Sequence, residues 1–124
     1  MKKRVLYVED DPNNMLLVRR ILQAEGHELL EATDGEAGWE VASRERPDFI
    51  LMDLHLPGPV DGLTLTRRLK AEPLLGAIPV VALTAYEAEE AAARAAGCDG
   101  FLHKPADIRQ IQAIMRQYLP IAAA

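Results

Sequence analysis

Six side chains in this sequence have the types that bind cations and stabilise phosphoryl oxygens, namely Glu9, Asp10, Asp11, Asp53, Thr84 and Lys104. Each follows a short apolar run. Val5-Leu6-Tyr7-Val8 leads into the three acids, Phe49-Ile50-Leu51-Met52 into Asp53, Pro79-Val80-Val81-Ala82-Leu83 into Thr84, and the weaker Gly100-Phe101-Leu102-His103 into Lys104-Pro105. The strong runs do not alternate apolar with polar, as expected of parallel strands covered on both faces. In an open α/β sheet, ligands bind beyond the carboxyl ends of the strands, so these groups are predicted to converge at one edge. Carboxylates brought together repel and raise one another's pKa unless a cation intervenes. An all-oxygen donor set suits a hard divalent ion, Mg²⁺ before Ca²⁺, because Mg²⁺ takes one or two carboxylates and keeps several waters. A metal beside Asp53 would polarise a phosphoryl group and offset charge moving onto a carboxylate nucleophile. Thr84 and Lys104 would then supply a hydrogen bond and a positive charge to phosphoryl oxygens. Asp11, directly before Pro12, reads instead as a helix N-cap.

The segments between the runs have helical spacing. Met15, Leu16, Val18, Arg19 and Leu22 predict one helix, opened by Asp11-Pro12 and closed by Gly26. Asp34-Gly35 leads into a second over Ala37 to Ser43, ended before Pro47. Leu63, Leu65 and Leu69 mark a third, ended by Pro73. Glu87 to Ala96, stopped by Gly97, is the fourth. Asp107 to Leu119 is the fifth, with Ile108, Ile111, Ile114 or Met115, and Tyr118 on one side. His27 to Glu31 is a further weak strand. Five β-α units imply a mainly parallel sheet with right-handed crossovers.

Composition bounds the function. The chain has 124 residues, enough for one domain over 1–124 with a core of about 3–119 and a frayed 120–124 tail. Lys and Arg total 14 against 19 Asp and Glu, a net charge of −5, so the basic footprint of a nucleic-acid or anionic-membrane binder is missing. The single cysteine, Cys98, cannot form an internal disulfide and reads as a small buried apolar residue. Trp39 reads as helix packing. No run approaches a membrane span or a signal peptide, which predicts a cytoplasmic protein with no membrane insertion.

Taken together, the pieces resemble a response-regulator receiver domain over about Lys3 to Leu119. The resemblance rests on Val5-Leu6-Tyr7-Val8-Glu9-Asp10-Asp11, Leu51-Met52-Asp53-Leu54-His55-Leu56-Pro57-Gly58, Asp61-Gly62-Leu63, Ala82-Leu83-Thr84-Ala85 and Gly100-Phe101-Leu102-His103-Lys104-Pro105. It implies a five-stranded parallel sheet in the flavodoxin-like order 2-1-3-4-5 with helices on both faces. It implies Asp53 as phosphoacceptor, with Thr84 and Lys104 contacting the phosphoryl group. Asp10 would bind Mg²⁺ directly, Glu9 through water, and Asp53 and the backbone carbonyl of His55 would complete the protein ligands. Lys104-Pro105 would be a cis peptide. Thr84 and the aromatic Phe101 would switch a surface built from the fourth helix, fifth strand and fifth helix; plain core packing of Phe101 is the other reading. The implied partners are a sensor histidine kinase or phosphotransfer protein and a downstream protein target. The face between the fourth and fifth helices is either a dimer surface on phosphorylation or ordinary packing.

One departure is an extra residue in Pro57-Gly58-Pro59-Val60-Asp61-Gly62. His55 and Tyr86, two residues after Asp53 and Thr84, are expected to flank the phosphoryl site and shield it from water. A self-phosphorylating switch is expected rather than a turnover enzyme. The chain reads as a stand-alone receiver or as one cut from a longer protein. Two alternatives come from other classes. A phosphorylation-independent docking module would need none of the intact key positions. An aspartyl-phosphate phosphohydrolase of the haloacid-dehalogenase pattern would need a second Asp where His55 stands. A flavin carrier on the same fold is disfavoured, since Glu9-Asp10-Asp11 would repel its phosphate.

Overall fold

Every apolar run forms a strand, and the helical segments lie between them. The computed structural model describes residues 2–119; the expected 120–124 tail lies outside them. Strands β1 (Arg4–Val8), β2 (Glu28–Ala32), β3 (Phe49–Asp53), β4 (Val80–Thr84) and β5 (Gly100–His103) alternate with helices α1 (Pro12–Ala24), α2 (Gly35–Glu45), α3 (Gly62–Ala71), α4 (Glu90–Ala96) and α5 (Ile108–Tyr118). All pairings are parallel, and the strand order is β2-β1-β3-β4-β5.

The continuous apolar runs have a simple cause. Successive strand residues point to opposite faces, and each face has its own core. Leu6, Val8, Ile50, Met52, Val80 and Ala82 pack with Ala42, Leu65, Leu69 and Ala93 of α2, α3 and α4. Val5, Tyr7, Phe49, Leu51, Val81 and Leu83 pack with Met15, Val18, Ile21 and Leu22 of α1 and with Ile111 and Met115 of α5. Central β3 and β4 are buried along their whole length, whereas edge strands β2 and β5 are mostly half-buried. That is why the edge runs carry the weaker apolar signal. No helix among the described residues is long and apolar enough to cross a membrane.

Four helices start at an aspartate whose carboxylate accepts from the exposed first-turn N–H groups. Asp11 accepts from Asn13 N at 2.8 Å, Asp34 from Ala37 N at 2.8 Å, Asp61 from Thr64 N at 2.8 Å and Asp107 from Gln110 N at 2.8 Å. Each such cap contributes about 1 kcal/mol. Helix α4 differs. The expected single helix over Glu87 to Ala96 is split into a 3-10 turn, Glu87–Glu89, followed by α4 itself, and no side chain caps its start.

Other expectations need correction. Ile108, the first residue of α5, is 48% exposed and lies outside the core that Ile111 and Met115 join. Leu16 is exposed on α1. Asp53 and Thr84 are the last residues of β3 and β4, not the residues after them. Cys98 is half-buried, its thiol 3.9 Å from the Thr66 hydroxyl. Trp39 packs at the margin of the core with the Arg68 guanidinium 4.1 Å above its ring.

The loop with the extra residue returns through Gly58, whose φ of +85° favours glycine. Its end is held tightly. The Gly62 N–H donates to the Leu54 carbonyl at 3.1 Å, and a Cβ on Gly62 would lie 2.4 Å from the carbonyl oxygen of Asp53. Gly62→Ala is therefore expected to displace the β3–α3 turn and lower stability by about 2–3 kcal/mol, read as a fall in urea midpoint. A Gly58→Ala variant, with nothing within 4 Å of its new Cβ, carries only the backbone cost of the left-handed conformation.

Candidate functional site

The parallel topology puts the ends of β1, β3, β4 and β5 along one edge, and the chemistry-bearing residues meet there. Glu9 continues β1 by one residue, its N–H donating to the Ala32 carbonyl at 2.9 Å. Glu9 and Asp53 are almost fully buried, 1% and 3% exposed, while Asp10 is exposed. Carboxylate oxygens of Glu9, Asp10 and Asp53 lie within 4.8 Å of one another. Lys104 enters from the β5–α5 loop, anchored by its N–H to the Thr84 carbonyl at 2.8 Å and followed by a cis bond to Pro105. Its ammonium is 3.0 Å from Glu9 Oε1 and 3.3 Å from Asp53 Oδ2.

Glu9 is saturated with donors. Its Oε1 accepts from Tyr7 Oη at 2.9 Å, Asn14 Nδ2 at 3.0 Å and Lys104 Nζ, and its Oε2 accepts from the Asp10 N–H at 3.1 Å. Asp53 has less support, namely the His55 N–H on Oδ1 at 3.0 Å and Lys104 on Oδ2. Burial disfavours both anions, and the imbalance of donors decides between them. For Glu9 the hydrogen bonds from Asp53 and Lys104 outweigh burial and hold its pKa down at about 2. For Asp53 burial and the neighbouring Glu9 push the pKa up to about 7. The two carboxyls are thus pushed apart, Glu9 towards the anion and Asp53 towards the acid. Burial also opposes the Lys104 charge, but Glu9 and Asp53 raise its pKa on balance. Tyr7, buried beside Glu9, has its phenol raised as well.

The donors suit a hard divalent cation. Three carboxylates close enough to share one ion, with a single ammonium among them, leave negative charge that an oxygen-seeking ion would offset. Glu9, Asp10, Asp11, Asn14, Asp53, His55, Ala85, Tyr86 and Lys104 line an open cleft over this cluster. Asp11 is at its rim and spends its carboxylate on the α1 cap.

Not every expected site residue joins the cluster. Thr84 is fully buried and does not line the cleft. Its hydroxyl donates to Glu89 Oε1 and accepts from the Tyr86 N–H at 3.2 Å. Phe101 is half-buried against the core, edge-on to His103 with ring centroids 5.0 Å apart. The His55 and Tyr86 rings meet edge-on at 5.3 Å at the mouth of the cleft. Sequence reasoning missed Tyr7, Asn14 and Glu89. Tyr7 is two residues before Glu9 on the same strand, a legible signal. Asn14 needs the first turn of α1 to bring it back over the sheet edge. Glu89 needs the 3-10 turn.

The comparisons agree with this geometry. The family model of the response regulator receiver domain matches residues 5–116. The chain is 37% identical over 121 residues to the polar-differentiation response regulator DivK of Brucella anthropi, covering 96% of this chain and 98% of that protein. Among solved structures, a putative response regulator from Chloroflexus aurantiacus superposes with a TM-score of 0.91 at 27% identity, covering 98% of this chain and 100% of that one. The receiver domain of a sensor histidine kinase from Pseudomonas aeruginosa, which has a magnesium ion coordinated in its active site cleft, gives a TM-score of 0.86 at 31% identity, over 95% of this chain and 98% of that one. The chain belongs to the response regulator receiver domain family.

The opposite shifts of Glu9 and Asp53 make stability depend on pH. The folded state raises Asp53 from its ordinary 3.8 to about 7, so this contribution is full below pH 3.8 and is lost as pH rises through 7. Glu9 has the opposite sign, its contribution being present above 4.5 and lost as pH falls through about 2. In metal-free buffer Asp53→Asn is therefore expected to be more stable than wild type at pH 8, by about 1–3 kcal/mol, with the gap shrinking at pH 5. Urea unfolding at the two pH values in the presence of a chelator measures both gaps.

Proposed function

We propose that Asp53 accepts a phosphoryl group from a phosphohistidine of a sensor histidine kinase or phosphotransfer protein, in a Mg²⁺-dependent reaction. The observation that carries this reading is the buried Asp53 carboxylate, open to the cleft, with the Lys104 ammonium 3.3 Å away and Glu9 and Asp10 beside it. Glu9, Asp10, Asp53 and the His55 carbonyl would hold Mg²⁺. When bound, the ion supplies positive charge that favours ionised Asp53 and offsets the phosphoryl oxygens. An Asp53 oxygen attacks phosphorus as the carboxylate. The new P–O bond forms as the P–N bond of the phosphoimidazole breaks, and the departing imidazole takes up a proton. Lys104 keeps its charge and turns towards a phosphoryl oxygen.

The product is an acyl phosphate, held as a signal rather than turned over. Its loss requires water to attack phosphorus in line. The His55 and Tyr86 rings flank that approach, which supports shielding by their bulk. Tyr86 is 59% exposed, and its ring is not part of the packed core. The signal is passed to a downstream protein target through the surface of α4, β5 and α5, with Thr84 and Phe101 as its movable parts. The reading places the protein in the cytoplasm as a switch.

Intact mass after incubation with a small acyl-phosphate donor tests the reaction. Wild type with Mg²⁺ is expected to gain one phosphoryl group, and neither Asp53→Asn nor wild type with chelator is expected to gain any. A gain that survives Asp53→Asn puts the chemistry on another residue. Absence of any gain in folded, Mg²⁺-binding protein favours a docking module. Tyr86→Ala is expected to shorten the lifetime of the phosphorylated form severalfold, followed by the same mass measurement over time; an unchanged lifetime removes the shielding role.

A further inference from the structure

Resting on that reading, we infer that Glu89 is a positioning residue that latches the unphosphorylated state, by holding the Thr84 hydroxyl proton that the phosphoryl group must recruit. One carboxylate oxygen does the holding. Glu89 Oε1 accepts from Thr84 Oγ1 and also from His55 Nε2 at 2.7 Å. A carboxylate has no proton to give, so both partners donate to it. The same oxygen thus ties the end of β4 to the turn after β3. That turn in turn touches the acceptor, since the His55 N–H donates to Asp53 Oδ1 at 3.0 Å.

The exclusivity comes from proton counting. A threonine hydroxyl has one hydrogen to donate. In the fully buried Thr84 it goes to Glu89, while the Tyr86 N–H occupies an acceptor site on the same oxygen. Thr84 cannot donate to Glu89 and to a phosphoryl oxygen on Asp53 at once. A phosphoryl dianion there also repels the Glu89 carboxylate across His55. Phosphorylation and the latch are therefore alternatives, and each weakens the other by the same factor.

The latch also has a mechanical consequence. Glu89 is the residue immediately before α4, and its backbone N–H closes the 3-10 turn on the Tyr86 carbonyl at 3.1 Å. The other four helices have an aspartate capping their start, whereas at α4 that position is Glu89, turned away to Thr84 and His55. Release of Thr84 frees the residue on which α4 begins. The start of α4 is thereby coupled to the occupancy of Asp53 without any contact between them.

The test is a double-mutant cycle on the rate of phosphorylation by a small acyl-phosphate donor with Mg²⁺. Glu89→Gln, which keeps the shape and loses the charge, and Glu89→Ala are both expected to raise the rate, by up to about tenfold for loss of a charge-assisted hydrogen bond. Most of each effect is expected to vanish in a Thr84→Ala background, where only the charge repulsion is left. A gain of the same size in that background would mean that Glu89 acts only by its charge, and a fall in rate with Glu89→Gln would mean that it assists phosphorylation; either outcome overturns the latch. A second arm needs no phosphorylation. In the unphosphorylated protein, Glu89→Gln is expected to shift the backbone amide resonances of Thr84, Tyr86 and the first turn of α4. Unshifted resonances overturn the latch. If wild type takes no phosphoryl group while those resonances shift, the acceptor reading fails and the contact network stands.

Discussion

Lys104 places one ammonium between two buried carboxylates, 3.0 Å from Glu9 and 3.3 Å from Asp53. Two anions and one cation at the edge of a dry sheet cannot all be satisfied at once. The molecule resolves this by dividing the donors unequally. Glu9 takes Tyr7, Asn14, Lys104 and a backbone N–H and stays ionised, whereas the Asp53 carboxyl is pushed up to about 7. An acid that is buried, under-supported and open to a cleft is poised to exchange its proton for a more favourable partner. The backbone of the edge is anchored on both sides of the pair, by the Lys104 N–H on the Thr84 carbonyl and the Gly62 N–H on the Leu54 carbonyl.

The opposite end of the sheet shows the contrast. There Arg4 meets Glu28 at 3.0 Å and Glu45 at 2.5 Å, and donates to the Glu45 carbonyl at 2.7 Å. Lys70 joins Asp99 at 2.8 Å and the carbonyls of Gly76 and Ile78 at 3.2 and 2.8 Å. Those charges are matched, each cation having its own acids and carbonyls, and they fasten loops. Solvent screens half-exposed pairs of this kind, so they fasten loops more than they stabilise the fold. Matched charge at one end and unmatched charge at the other is what distinguishes a fastening from a reactive site in the same fold.

Between the cluster and the surface lie Thr84 and Glu89. The hydroxyl is buried, does not line the cleft and is occupied, and the carboxylate that occupies it sits on the turn before α4. The reactive edge and the start of α4 are thus joined by two hydrogen bonds to one Glu89 oxygen, in addition to the core that Ala93 shares with β3 and β4.

Much of this was legible from residue order. Unbroken apolar runs implied a sheet covered on both faces, and acids or their partners after those runs implied convergence at one edge, because parallel strands all end on the same side. Asp11 before Pro12 marked the start of the first helix, which set it apart from the reactive acids, and the structure shows that cap. Other features depended on which atoms meet in space. Sequence spacing does not tell how five donors divide between Glu9 and Asp53, since Asn14 and Lys104 reach Glu9 from 5 and 95 residues away. It does not tell that a fourth helical segment opens with a 3-10 turn, which alone brings Glu89 to Thr84 and His55. Periodicity and end signals determined the elements, their faces and the edge where the acids gather. Donor sharing and hydroxyl orientation were decided only by the tertiary structure, because both depend on distances of a few ångströms between segments that the chain itself leaves far apart.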